Sequence, residues 1–124
     1  MNKEVMELWV DALRSGEYEQ GVHNLCKEGK FCCLGVLCEL YNKNNEEKLR
    51  IGEEDGAVTY DDYSGMLPHR VQGWAHMLEA TGGFKNDYTG RNLSNYNDGN
   101  DAVGIQALDF KAIADIIETE YQNL

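Results

Sequence analysis

Two adjacent cysteines, Cys32 and Cys33, have the position in this sequence that best suits covalent chemistry. They lie where a predicted strand enters a predicted helix, and the partial positive charge of a helix N-terminus can lower the pKa of a thiol. A cysteine hydrolase or transferase also needs a histidine base and a polar orienting group such as Asn97 or Asp98. The candidate bases are His23, His69 and His76.

The hypothesis that the protein is an enzyme therefore uses Cys32 or Cys33 as nucleophile and His69 as base. The alternative is that both cysteines are small, buried, reduced side chains that anchor the start of the helix. We favour this structural alternative, because three histidines in 124 residues can equally be surface residues. The sequence alone thus indicates no catalytic constellation.

A second group of residues has the chemistry of a small-molecule pocket. The turn sequence Asn97-Asp98-Gly99 follows Tyr96 and Arg91, and these side chains could hold a ribose or the edge of a base. The alternative is a structural turn, since Asn and Asp cap their own backbone and Gly allows positive φ. Aromatic rings stack on bases and arginines bind phosphates. The predicted ligand-binding residues are Tyr18, Gln20, Trp74, Arg91, Tyr96, Asn97 and Asp98.

We predict neither a metal nor a cofactor. The four cysteines contain no C-x-x-C pair, and the spacing typical of a zinc site is missing. The acidic groups at 53–55 and 61–62 lack the length and alternation of a calcium-binding loop, so solvated turns explain them better.

Charge and composition limit the partners. The chain has 124 residues with 42% apolar and 27% charged residues, which predicts one globular domain over residues 1–124. A net charge of −11 repels phosphate backbones, so we expect no nucleic-acid partner, whereas an acidic face could bind a basic host protein. No apolar run is long enough for a membrane span. The N-terminus leads directly into an amphipathic segment, so we expect no signal peptide and a cytosolic location.

The pattern of apolar residues predicts four helices and two short β-hairpins in mixed order, an α+β fold. The first hairpin falls within residues 18–33 and the second within residues 49–60, and residues 84–104 are predicted to be an ordered loop or to contain one short strand. The predicted helices are 3–15, a buried helix that starts near Cys33, 68–80 with Val71, Trp74, Ala75 and Leu78 on its inner face, and a last helix capped by Asp109.

Several blocks of the sequence resemble a widespread set of small tailed-phage proteins. The blocks are Trp9-Val10-Asp11-Ala12-Leu13-Arg14-Ser15-Gly16, Gln20-Gly21, Cys32-Cys33-Leu34-Gly35-Val36-Leu37-Cys38-Glu39-Leu40, Leu67-Pro68, Trp74-Ala75, Asn97-Asp98-Gly99 and Ile113-Ala114-Asp115-Ile116-Ile117-Glu118. The resemblance implies a phage accessory protein of the host cytoplasm that is not a virion component.

Two function hypotheses of different classes follow. The first is a binding protein that counters host defence by sequestering a small nucleotide-derived signal, with a homo-oligomer as a companion hypothesis because such pockets are often built between subunits. The second is the cysteine-dependent hydrolase or transferase described above. An acidic inhibitor that binds a host protein is a variant of the first hypothesis.

Overall fold

The two terminal helices pack against each other in opposite directions. The computed structural model describes residues 1–124 and places helix α1 at Lys3–Ser15, as predicted, with the side chain of Asn2 accepting from the N–H of Val5 at 3.1 Å. Gly16 ends α1 in the left-handed conformation (φ 79°), which glycine adopts without steric cost. The last helix, Phe110–Glu120, is capped by Asp109, also as predicted.

Helix α2, Cys33–Asn44, lies in the centre of the core and is buried on most sides. It starts directly after the hairpin, and Trp9 of α1 donates its indole N–H to the carbonyl of Cys33 at 2.9 Å. Gly35 lies so close to the chain at Leu25 that a Cβ atom would meet the Leu25 carbonyl oxygen at 1.7 Å. Only glycine therefore allows α2 to pack at this depth.

The five strands are β1 Glu19–Gln20, β2 Cys26–Lys27, β3 Lys30–Phe31, β4 Ile51–Glu54 and β5 Ala57–Tyr60. They form a mixed sheet of order β1-β3-β2-β5-β4, and both predicted hairpins are present within it. The predicted turns connect β2 to β3 and β4 to β5. The strand that the sequence did not predict is β1, which pairs in parallel with β3. A strand of two residues is too short to show alternation of apolar and polar residues.

The predicted helix at 68–80 is wrong in its length. Helix α3 covers only His69–Ala75, because His76 adopts the left-handed conformation (φ 54°) and ends it. Val71 and Ala75 are buried as predicted, whereas Leu78 lies beyond the helix with 55% of its surface exposed. The prediction was too long because the apolar residues keep helical spacing beyond Ala75, although the helical backbone ends at His76.

The prediction of a loop or short strand at 84–104 is also wrong. This region contains the short helix α4, Leu93–Asp98, and a 3₁₀ turn, Asp101–Val103. Asn92 caps α4 by accepting from the N–H of Asn95 at 2.8 Å. The sequence did not predict α4 because Asn and Asp have low helix propensity. The cap by Asn92 and the burial of Leu93 stabilise the helix instead. With α4 counted, the last helix, Phe110–Glu120, is α5.

One connected cluster of 28 buried side chains joins the helices to the sheet. All four cysteines lie in it as free thiols. None of the helices has both the length and the apolar character that crossing a membrane requires.

Candidate functional site

Asn97 lies at the centre of a buried set of hydrogen bonds, here named the Asn97 network. Its side chain is only 1% exposed. The side-chain oxygen accepts from the backbone N–H of Cys33 at 3.1 Å and from the amide of Gln20 at 3.0 Å. The side-chain N–H₂ group donates to the carbonyl of Gly21 and to Asp98 Oδ1, both at 2.9 Å. Asn97 thus joins α4 to α2 and to the segment after β1.

This network also gives helix α2 its N-terminal cap. Cys32 occupies the cap position but makes no side-chain hydrogen bond there. Asn97, from a distant part of the chain, instead accepts from the first N–H of the helix. Because each buried donor and acceptor of Asn97 has a partner within the protein, the residue has little capacity left for a ligand.

Asp98 extends the network to the surface through His23. Asp98 Oδ1 accepts from the backbone N–H of His23 at 2.9 Å, and Asp98 Oδ2 lies 3.4 Å from His23 Nδ1. His23 has a positive φ of 69°, and its side chain is largely exposed. The structure therefore brings together five residues singled out in the sequence: Gln20, His23, Cys33, Asn97 and Asp98.

The two candidate nucleophiles lie in an environment that opposes ionisation. Burial raises the pKa of Cys32 to about 11, although backbone N–H groups of Gly35 and Leu34 act in the opposite direction. Burial also raises the pKa of Cys33 well above its usual value. Desolvation therefore opposes the lowered thiol pKa that the enzyme hypothesis needs, and the burial of both side chains agrees with the structural alternative favoured from the sequence. No histidine is hydrogen-bonded to either thiol.

The other predicted residues lie apart from the network. Tyr18 packs edge-on against Phe31 and accepts from Lys43 Nζ at 2.9 Å, and Trp74 packs edge-on against Tyr41. His69 Nε2 lies 3.2 Å from the Tyr63 hydroxyl. His69 and His76 border a separate depression at α3. The predicted residues therefore form no single site.

Arg91 lines a different feature, a cleft of about 570 Å³ that we name the Arg91 cleft, and Tyr96 is bonded to Arg91 from outside the lining. It forms between the irregular segment 84–91 and the C-terminal end of α5. The backbone N–H of Lys85 donates to the carbonyl of Asn123 at 2.7 Å and so fixes the two walls together. The cleft is lined by Phe84, Lys85, Asn86, Asp87, Tyr88, Thr89, Arg91, Glu120 and Asn123.

Stacking and hydrogen bonds hold the Arg91 guanidinium in a fixed orientation. The guanidinium carbon lies 4.3 Å from the ring centre of Phe84, within the range of a cation–π contact. Nε donates to the Tyr96 hydroxyl at 2.7 Å, and the terminal nitrogens pair with Asp87 and Glu120. These three bonds use three of the five N–H donors of arginine. Two donors remain for another molecule.

The cleft also contains an exposed aromatic ring and equal numbers of positively and negatively charged side chains. Tyr88 is 92% exposed, so almost none of its ring is covered by this chain. Lys85 and Arg91 supply two positive charges, and Asp87 and Glu120 two negative ones. Hydrogen bonds from the Thr89 hydroxyl and N–H lower the pKa of Asp87, so that it remains a carboxylate. The cleft can thus stack a ring, donate to an anion and accept from hydroxyl groups.

Sequence reasoning selected Arg91, and Tyr96 that bonds to it, but missed Phe84, Tyr88 and Glu120 as cleft residues. A usable signal was present, since residues 84–91 contain two aromatic and two basic side chains among turn-forming residues. Glu120 had no such signal, because only the packing of α5 brings it to Arg91.

The fold and the site define an α+β protein with a buried polar network and a polar cleft that has one exposed aromatic ring. A family model described as a domain of unknown function (DUF8296) matches residues 1–121, and the chain belongs to this family. Comparisons with curated proteins and with solved structures gave no match.

Proposed function

We propose that the Arg91 cleft binds a small nucleotide-like molecule, and that the protein acts as a binding protein and not through its cysteines. The observation that carries the proposal is the pair of Tyr88, almost fully exposed, and Arg91, held in place with two N–H donors unused. An exposed aromatic ring beside an oriented guanidinium suits a base and its phosphate.

The remaining residues of the cleft suit the rest of a nucleotide. Lys85 lines the cleft and makes no side-chain hydrogen bond within the protein, so its ammonium group can donate to a second phosphate oxygen. The carboxylates of Asp87 and Glu120 can accept from ribose hydroxyls or base N–H groups. A volume of about 570 Å³ lies within the usual range for small-molecule sites. A nucleotide phosphate would compete with these carboxylates for Arg91, which favours moderate affinity.

The resemblance to small tailed-phage proteins supports a specific biological role for this binding. We infer a phage accessory protein that acts in the host cytoplasm and counters host defence by sequestering a nucleotide-derived signal. Sequestration needs binding without turnover. The raised pKa values of Cys32 and Cys33 agree with such a role, since neither thiol is held in its nucleophilic form.

Calorimetric titration with mono-, di- and cyclic nucleotides tests the proposal. We expect at least one nucleotide to bind, and Tyr88→Ala and Lys85→Ala each to weaken that binding about tenfold or more, about 1.4 kcal/mol. Leu78→Ala and Lys111→Ala are matched controls, because both remove exposed side chains outside the cleft. They should leave the affinity unchanged. Equal binding by all four variants would place the nucleotide elsewhere, and absence of binding across the panel would refute the proposal.

A further inference from the structure

Strand β4 forms an edge of the sheet that nothing in this chain covers. In the strand order it has one neighbour, β5, and all four of its residues are exposed. Ile51 is the most exposed branched apolar residue of the chain at 60%. An edge strand presents a row of unpaired N–H and C=O groups to other chains.

The hairpin geometry identifies which backbone groups face outward. Glu54 and Ala57 close a two-residue turn in which Asp55 and Gly56 both have positive φ, the type I′ form. The closing pair of such a hairpin is hydrogen-bonded, and hydrogen-bonded pairs alternate along an antiparallel ladder. Gly52 therefore bonds inward, whereas the N–H and C=O groups of Ile51 and Glu53 point to the open edge.

The contacts of Arg50 agree with this alternation. Its N–H donates to Asp61 Oδ1, and its carbonyl accepts from the N–H of Asp61, both at 2.8 Å. Arg50 thus bonds toward the body of the protein, like Gly52 two residues later. The four outward groups of Ile51 and Glu53 take no part in the loop or turn hydrogen bonds of the chain.

The charge of the residues beside this edge is negative. Glu53, Glu54 and Asp55 form no ion pair, while Arg50, the nearest cation along the strand, is paired with Asp62 at 2.8 Å. Three free carboxylates beside open backbone groups favour a basic chain. They disfavour a second copy of this protein, since each copy carries a net charge of −11.

We propose that β4 is a docking edge for an extended basic segment of a partner protein, which adds a sixth strand to the sheet. The partner's backbone bonds to Ile51 and Glu53, its basic side chains lie opposite the carboxylates, and an apolar side chain covers Ile51. This inference does not depend on the Arg91 cleft.

Hydrogen exchange monitored by NMR tests the proposal with defined probes. The probe is an end-blocked heptapeptide of alternating lysine and valine, used at about 0.15 M salt, where long-range charge attraction is screened. We expect it to slow exchange of the Ile51 and Glu53 amides at least tenfold. A peptide with N-methyl groups on alternate residues keeps its charge but loses the donors, and a glutamate–valine peptide reverses the charge. Neither should protect these amides.

Charge variants of the protein give the matched comparison. Glu53→Gln/Glu54→Gln should weaken binding of the lysine–valine peptide about tenfold, whereas Glu4→Gln/Glu7→Gln, with the same change of net charge on exposed residues of α1, should not. The proposal is overturned if the N-methylated peptide binds equally well or if protection appears at other amides only. It is also overturned if Ile51 and Glu53 are protected without peptide in a concentration-dependent way, because a second copy would then occupy the edge.

Discussion

Helix α4 contributes to both the Asn97 network, through Asn97 and Asp98, and the surroundings of the Arg91 cleft, through the bond of Tyr96 to Arg91, and both regions contain residues whose types suggest ligand binding. They differ in where their hydrogen bonds are made. Asn97 is 1% exposed, and all four of its contacts are to this chain. Arg91 keeps two donors free, beside Tyr88 at 92% exposure. A polar residue is thus structural where the fold supplies partners for all of its hydrogen-bonding groups, and it is available for binding where some of these groups have no partner.

The largest effect should come from removing the centre of the network. Asn97→Ala leaves the buried N–H of Cys33 and the half-buried carbonyl of Gly21 without partners and opens a gap in a fully packed site, and we expect a loss of about 3 kcal/mol in the free energy of unfolding. Urea denaturation followed by circular dichroism measures this. A loss of about 1 kcal/mol or less would mean that Asn97 does not hold α2 and α4 together.

The second-largest expected effect is a pH-dependent loss of stability caused by the Cys32 thiol at the start of α2. The folded-state pKa of Cys32, about 11, lies above the unfolded value of 9.0. The neutral thiol is therefore favoured on folding, and its contribution is complete below pH 9 and is lost as pH rises through about 11. We expect wild type to lose about 2 kcal/mol more than Cys32→Ala between pH 8 and pH 11.

Urea midpoints at these two pH values give the difference directly. The other buried thiols titrate in both proteins, but the Cys32 charge also raises the pKa values of Cys33 and Cys38, so the difference reports Cys32 together with its coupling to these two thiols. Equal losses in wild type and variant would show that the Cys32 thiol ionises as readily in the folded protein as in the unfolded chain, and would revive its candidacy as a nucleophile.

A smaller loss of stability should accompany removal of the arginine. Arg91→Ala removes a stacking contact with Phe84 and two partly exposed ion pairs, and we expect about 1–2 kcal/mol. Nucleotide binding should be lost in the same variant. Arg91→Lys keeps the charge but not the fork of donors, so it should recover part of the stability and little of the binding. Full recovery of binding by lysine would show that charge alone matters.

The smallest change in stability is expected at the most exposed ring. Tyr88→Ala should alter the free energy of unfolding by less than about 0.5 kcal/mol while it weakens nucleotide binding. Thermal denaturation measured beside the binding titration separates the two effects. A clear loss of stability would mean that Tyr88 contributes to the fold, which would weaken the contrast between the two regions.

The sequence predicted the elements whose signals are local. Helix α1 with its Asn2 and Gly16 ends, the Asp109 cap and both hairpin turns follow from residues a few positions apart. It did not predict α4 or the role of Asn97, because three of the four partners of Asn97 lie 64 to 77 residues away in the chain. Residue type marked the polar positions, but tertiary packing decided which of them remain accessible.

Native mass spectrometry of the purified protein with the nucleotide panel, followed by denaturation and identification of the released molecule, tests the central claim most directly. We predict a nucleotide adduct that is retained in Lys111→Ala, is lost in Tyr88→Ala, and releases the nucleotide chemically unchanged. An equal adduct in both variants, a cleaved product, or no adduct with any nucleotide would contradict a sequestering site in the Arg91 cleft.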